Sequence, residues 1–294
     1  MAAPAIPPRA LALLALLTLV WGTNWPLFPI VLAEVSVWTF RLFTVPTAGL
    51  LLLAIARWRG QSLVVPRRHW ATLGLTTFCY MTVWHVTSAW SAALIPSGQS
   101  AVLGFTMPLW LALINWALLG QRPDRRMGLA LALGALGVGL LVQRGLLAYA
   151  QAPLGLALGL TAGIGWAAGT LILKRNGGVE LPATVITGWQ LLASALPIGL
   201  VALAVDGLPQ ALPTWPTLGL MLYITLVPTC IGNVAWFAIV GMLPAQLAGL
   251  SSILVPVVAM LSGAVIHGEP LGPLQLAAMG CCSGALWLAL GRRS

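Results

Sequence analysis

Trp70-Ala71-Thr72-Leu73-Gly74-Leu75 returns as Trp215-Pro216-Thr217-Leu218-Gly219-Leu220, 145 residues later. The same shift carries Trp21 onto Trp166. Further along, Ile95-Pro96, Met107-Pro108 and Gly120-Gln121 match Leu243-Pro244, Val255-Pro256 and Gly268-Glu269, now 148 residues on. Self-similarity that holds its period over half a chain means two copies of one structural unit. The halves run from 1 to 149 and from 150 to 294.

The chain has 294 residues, of which 60% are hydrophobic and 6% charged, and its mean hydropathy is +0.97. Soluble domains run near about 25% charged, so a bilayer is the solvent this composition fits. A spanning helix needs roughly 20 apolar residues to cross about 30 Å of hydrocarbon. By that measure the sequence predicts an all-α integral membrane protein with ten transmembrane helices, five in each half: 10–32, 35–56, 69–90, 97–119, 127–143, 153–173, 182–205, 216–239, 244–266 and 271–290. The first span follows Arg9 as a signal peptide would. Trp21, Asn24, Trp25 and Pro26 stand where a small-residue cleavage site belongs, so it reads as a retained helix.

Basic residues orient the bundle. With the N-terminus in the cytoplasm, twelve of the fourteen fall in cytoplasmic segments; Arg144 alone is outside and Arg41 lies within the second span. The net charge of +9 thus reflects topology and contact with anionic lipid rather than nucleic acid. Five spans is an odd number, so the second half starts on the opposite side. The halves are expected to be inverted repeats about an axis in the membrane plane, a design that suits alternating access to a site between them.

Polar residues inside spans are informative because hydrocarbon tolerates them badly. Thr77, Tyr80, Trp84, Ser88 and Ser91 recur at helical steps and form one face of the third span. Thr225, Thr229, Asn233 and Trp236 do the same in the eighth, and the repeat relates the two faces. They read as the walls of a shared cavity; two packing seams with self-satisfied hydroxyls would use the same residues. His85 stands beside the first face and is able to bond a carboxylate or amine, or a neighbouring hydroxyl. Arg41 is read as structural, with carboxylate binding as the other option.

The chain has fourteen tryptophans. Trp38, Trp58, Trp70, Trp90, Trp215 and Trp287 lie near span ends, as an interfacial belt requires. Trp21, Trp25, Trp84, Trp110 and Trp166 lie inside spans and suit the walls of a site for a flat or cationic ligand. Pro108 and Pro256 interrupt the fourth and ninth spans at matching positions and are candidate hinges. Glycine pairs such as Gly159 and Gly163, Gly165 and Gly169, and Gly280 and Gly284 permit close helix approach.

The five acidic residues, Glu34, Asp124, Glu180, Asp206 and Glu269, fall in loops or at span ends, so a buried carboxylate proton relay has no residue to run on. Cys79, Cys230, Cys281 and Cys282 sit in apolar runs without metal-ligand spacing and read as packing thiols. No catalytic residue, cofactor or metal site is expected.

Trp21-Gly22 and Trp166 in the first and sixth spans, with Gly268-Glu269-Pro270 closing the ninth, resemble the EamA type of the drug/metabolite transporter superfamily across nearly the whole chain. Gly120-Gln121 stands where that family has Gly-Glu. The interior tryptophans and Trp84-His85 are similar to YddG-type exporters of aromatic amino acids. The resemblance implies a bacterial inner-membrane protein with both termini cytoplasmic that exports Phe, Tyr and Trp, with Thr, Met and methyl viologen as further substrates. It implies Trp21, Trp84, His85 and Trp166 as substrate contacts. The residues themselves add Tyr80 and Trp110 to the aromatic wall, and Asn24, Ser88 and Asn233 as partners for a zwitterion. An exporter of another metabolite or cationic drug is the alternative. A lipid-processing enzyme or a structural subunit comes after it. The oligomeric state is left open, with a monomer consistent.

Overall fold

The computed structural model describes residues 7–175, 180–207, 212–268 and 271–290. Glu269, Pro270, Arg292 and Arg293 lie outside the described residues. A helix lies over each predicted span, and no strand occurs among the described residues. Among the described residues, eight helical runs are long and apolar enough to cross a membrane, and Pro273–Ala289 is apolar but shorter.

The first half opens with α1 (Pro8–Gly22), a 3-10 turn (Trp25–Leu27) and α2 (Phe28–Leu32). Next comes α3 (Val37–Trp58), whose N-cap Ser36 accepts the Thr39 amide at 3.0 Å. Then follow α4 (Trp70–Thr76), a π-helical segment (Thr77–Val83) and α5 (Trp84–Leu94) in one run. α6 (Ser97–Gly104), α7 (Met107–Leu119) and α8 (Arg125–Gln151) complete it. The second half is α9 (Pro153–Arg175), α10 (Ala183–Val205) and α11 (Trp215–Ile224), which enters a second π-helical segment (Thr225–Gly232). α12 (Asn233–Met242), α13 (Ala245–Ser251), α14 (Val255–His267) and α15 (Pro273–Leu290) end it.

The repeated motifs are helix punctuation. Gly120 and Gly268 end α7 and α14 with φ of 65° and 67°, a left-handed conformation that closes a helix and that a side chain resists. Pro96 and Pro244 stand in extended backbone just before α6 and α13. Pro108 and Pro256 do not kink a continuous helix: each is the second residue of a new one, after breaks at Phe105-Thr106 and Ser252–Leu254. A first turn has spare N–H groups, so proline costs no hydrogen bond there. α8 runs past the predicted end at residue 143 and carries Arg144 on helix, not in a loop, because no proline follows until Pro153.

Each half's first long helix packs into the other half. α9 lies against α5, α6 and α7 and the first π-helical segment, while α1 lies against α12, α14 and the second. α3 packs along α10, and α8 along α15, on the flanks. Gly163 takes α9 against the Gly104 carbonyl, where a Cβ would sit only 2.9 Å away. Trp58, Trp70, Trp215 and Trp287 are exposed, as belt residues are. Trp38 and Trp90 instead pack edge to face at 6.1 Å, partly buried. The four cysteines are free thiols.

Candidate functional site

The junction of the halves is filled with aromatic rings. α9 brings Trp166 to its centre, where the ring lies 5.4 Å from Trp21, 4.9 Å from Tyr80, 4.8 Å from Trp84 and 5.6 Å from Trp236. Trp25 joins from the turn after α1, 6.2 Å from Trp84, and Phe105 touches Trp21, Trp25 and Trp84. Most contacts are edge to face, the preferred geometry of aromatic pairs. Trp166 is 2% exposed and Trp236 fully buried. The sequence predicts a tryptophan-lined hollow; in this conformation the rings pack on one another as a plug.

Local backbone explains how large rings fit. A Cβ on Gly232 would lie 2.3 Å from the Trp21 indole nitrogen, and one on Gly169 3.0 Å from the Tyr80 ring. Each ring therefore needs the glycine opposite it. The two π-helical segments overlap in the repeat, the 145-residue shift carrying the first onto residues 222–228, and one stands beside each face of the plug. A π turn leaves a helix wider and its carbonyls redirected, and such turns gather at functional sites. In the second segment Pro228 has no N–H, and its carbonyl accepts the Trp21 indole at 3.0 Å. The Thr229 hydroxyl bonds the Ile224 carbonyl, five residues back, at 2.8 Å.

The predicted polar residues divide. Tyr80 donates to Thr170 at 2.9 Å and Ser91 to the Gly155 carbonyl at 2.8 Å, so the first face is tied to α9. Thr225 and Asn233 bond carbonyls of their own helical run, as the packing-seam alternative requires. Four buried polar atoms near the plug lack any hydrogen bond: the Trp166 and Trp236 indole nitrogens, Asn24 Oδ1 and Asn233 Oδ1. Unpaired buried polar groups are rare and call for an explanation. His85 is buried, and its Nδ1 lies 2.9 Å from the Met81 carbonyl. A carbonyl only accepts, so Nδ1 carries a proton, and in the neutral ring Nε2 is left as acceptor. Trp110 does not join the plug; it donates to the Thr106 hydroxyl at 2.9 Å and braces the break before α7. Ser88 faces Arg41, 3.5 Å from Nη2.

Trp25, Trp236 and Phe237 belong with the site. The sequence carries a signal for two: Trp25 among the interior tryptophans and Trp236 on the second polar face. Phe237, 5.1 Å from Tyr80, had none.

Polar ties close both ends of α3. At one end Glu34 accepts the Thr214 amide at 3.0 Å and the Thr214 hydroxyl at 2.8 Å, and Ser36 donates to Asp206. At the other, Arg68 pairs with Glu180 at 2.6 Å. A shift of 146 residues carries Glu34 onto Glu180 and Arg68 onto Thr214, so the ties are repeat equivalents. A cavity of about 580 Å³ opens near the Arg68 tie, lined by Arg9, Lys174, Ile186, Phe237 and Met242. Phe237 joins it to the plug. A smaller one, about 280 Å³, lies between α6, α8, α14 and α15.

The Thr214 amide, then its hydroxyl, holds the Glu34 carboxyl below its ordinary range. A lowered pKa adds stability that is present above the ordinary carboxylate range and lost as pH falls through the lowered value. Wild type is expected to melt slightly above Glu34→Gln near neutrality, with the gap closing in acid. The effect is small because Glu34 is solvent-exposed. Melting curves in detergent across that range check it; a gap unchanged in acid would refute the assignment.

Two like helical halves meeting at a buried aromatic junction, with a cavity reaching it from one end, define a membrane transporter. The sequence matches the model of the EamA-like transporter family over residues 8–143 and again over 153–291, and the chain belongs to that family. It is 25% identical to the uncharacterized transporter YvbV of Bacillus subtilis, over 90% of this chain and 85% of that one. It is 31% identical to the threonine/homoserine exporter RhtA of Escherichia coli, over 65% of this chain and 61% of RhtA. A probable amino-acid metabolite efflux pump of Salmonella typhimurium is 29% identical over 62% of this chain and 64% of its own length. A solved crystal structure superposes with a TM-score of 0.77 at 19% identity, covering 95% of this chain and 96% of that one, which shows the same fold.

Proposed function

We propose that the chain exports amino acids across a bacterial inner membrane, preferring aromatic ones, by alternating access at the plug. The observation that carries this is the plug's makeup: packed rings together with the unpaired indole N–H groups of Trp166 and Trp236 and two unpaired amide oxygens. An amino acid offers a carboxylate for the first and an ammonium for the others. An aromatic side chain would replace a ring-to-ring contact with a like one. The N-terminus and the larger cavity are taken as cytoplasmic, so the structure reads as open inward. The two halves are taken as inverted repeats, which accounts for equivalent ties at opposite ends of α3. No carboxylate lies in the plug among the described residues, so transport is taken as facilitative or driven by membrane potential.

A second reading rests on RhtA, whose name specifies threonine and homoserine. One experiment separates the two. Proteoliposomes preloaded with unlabelled phenylalanine are expected to accumulate labelled phenylalanine by counterflow, with tyrosine and tryptophan the strongest competitors. Threonine as the strongest competitor would favour the second reading. No counterflow with any amino acid, methyl viologen or nucleoside would reject both.

A further inference from the structure

Arg41 is buried within α3, 3% exposed. Its Nε donates to the His85 carbonyl at 2.7 Å, and Nη2 lies 3.5 Å from the Ser88 hydroxyl. Its guanidinium stands 4.5 Å from the Phe40 ring centroid and 5.0 Å from that of Phe28. Among the described residues no carboxylate forms an ion pair with it. Ring faces and a neutral carbonyl compensate an ion only in part, and a charge held away from water is costly unless paired. A cation kept this way inside a membrane span marks a function before a fold.

The repeat says when the site opens. Around α3 the register is the 146-residue shift that carries Glu34 onto Glu180 and Arg68 onto Thr214; it carries Phe40 onto Ile186 and Arg41 onto Thr187. Ile186 lines the larger cavity, which is open in this structure. In a pair of inverted repeats, what one half does at one end the other does at the opposite end in the alternate conformation. Phe40, the counterpart of Ile186, then lines the cavity on the far side once that side opens, and the Arg41 guanidinium rests against its ring. Arg41 also stands at the edge of the plug. Phe28, against which the guanidinium rests, lies 5.4 Å from Trp25, and His85 follows Trp84 in the chain.

We propose that Arg41 recognises the carboxylate of the transported amino acid on the exit side of the plug. This rests on the amino-acid reading above and names the group that enforces it. A guanidinium presents paired donors that match a carboxylate, and the incoming anion supplies the counter-charge the protein withholds. The substrate side chain is left among Trp25, Trp84 and Phe105. The repeat partner Thr187 carries no charge, so the two sides are unequal: a cation for the carboxylate exists only on the exit side.

The test compares phenylalanine with phenethylamine, which keeps the ring and ammonium and lacks the carboxylate. Counterflow is measured for wild type, Arg41→Lys and Arg41→Met, with melting temperature as a control for folding. Wild type is expected to prefer phenylalanine by roughly tenfold or more. Arg41→Met is expected to lose that preference, through slower phenylalanine flux with phenethylamine flux retained, and Arg41→Lys to keep part of it. Equal loss of both substrates in either variant would make Arg41 a structural staple and overturn the proposal. So would a wild type that does not discriminate, which needs no variant to fold. Absence of phenylalanine flux in wild type would reject the underlying reading, and the assignment with it; flux that persists with its selectivity unchanged in Arg41→Met would reject the assignment alone.

Discussion

Gly49→Leu is expected to leave no folded, monodisperse protein, while Gly74→Leu is expected to behave as wild type. A Cβ on Gly49 would lie 2.7 Å from the Leu192 backbone nitrogen and 3.0 Å from the Gly188 carbonyl oxygen. Both are backbone atoms of α10, so no side-chain rotation relieves the clash. α10 answers with its own glycine: a Cβ on Gly188 would meet the Leu53 side chain at 2.9 Å and the Gly49 carbonyl at 3.3 Å. The crossing brings two backbones together. Between membrane helices that approach is a main source of association, since lipid is as apolar as leucine and there is little hydrophobic gain to replace it. Overpacking in a core costs about 1–3 kcal/mol where side chains can adjust, and more where they cannot. α3 also carries Arg41 and the Ser36 cap, so parting it from α10 disturbs the plug's edge too. Gly74 has open space around the position of a Cβ. Size-exclusion profiles and melting curves in detergent decide the matter. A Gly49→Leu protein with a wild-type profile would mean that this crossing is not tightly packed.

Much of this architecture is legible because the chain states it twice. Gly120 with Gly268, and Pro108 with Pro256, are short signals alone, but repetition fixes their register. Geometry explains why those residue types recur: a left-handed closing residue and a proline-tolerant first turn. Convergence of Trp21, Tyr80, Trp84 and Trp166 also follows from the pattern, since polar and aromatic residues inside spans have to face protein. The pattern does not supply the volume between them. Whether rings line a space or fill it depends on distances of a few ångströms, set here by the glycines beneath Trp21 and Tyr80. The π-helical turns were not legible either. Thr77–Val83 holds neither proline nor glycine, and its turn is visible only in the backbone. Arg41 read as structural because the sequence lists no partner. Among the described residues no carboxylate lies against it, and this lack gives the residue its interest. The equivalence of Glu34 with Glu180 was available in the repeat, yet nothing marked those residues until Thr214 and Arg68 were seen to meet them.

Trp166→Ala and Trp166→Phe are expected to separate the plug's two tasks. The alanine variant removes a ring on which Trp21, Tyr80, Trp84 and Trp236 all rest. A buried tryptophan cut back to alanine typically costs about 3–5 kcal/mol, because neighbours collapse only partly into the void. Four rings held on rigid helices have little freedom to close it, so both stability and counterflow should fall. The phenylalanine variant keeps most of the edge-to-face contacts and deletes the indole N–H. That donor has no partner in this conformation. An unsatisfied buried donor costs on the order of 1–3 kcal/mol, so its removal offsets part of the lost ring area. Trp166→Phe should therefore melt close to wild type. Its transport should nonetheless drop, because the substrate loses the donor that the folded protein leaves unused. Stability kept and flux lost is the signature of a group reserved for a ligand. Trp166→Phe with wild-type flux would show that the N–H takes no part in transport. Trp166→Ala with a wild-type melting temperature would show that the rings are not a packed core, and the plug would have to be read again as the wall of an open space.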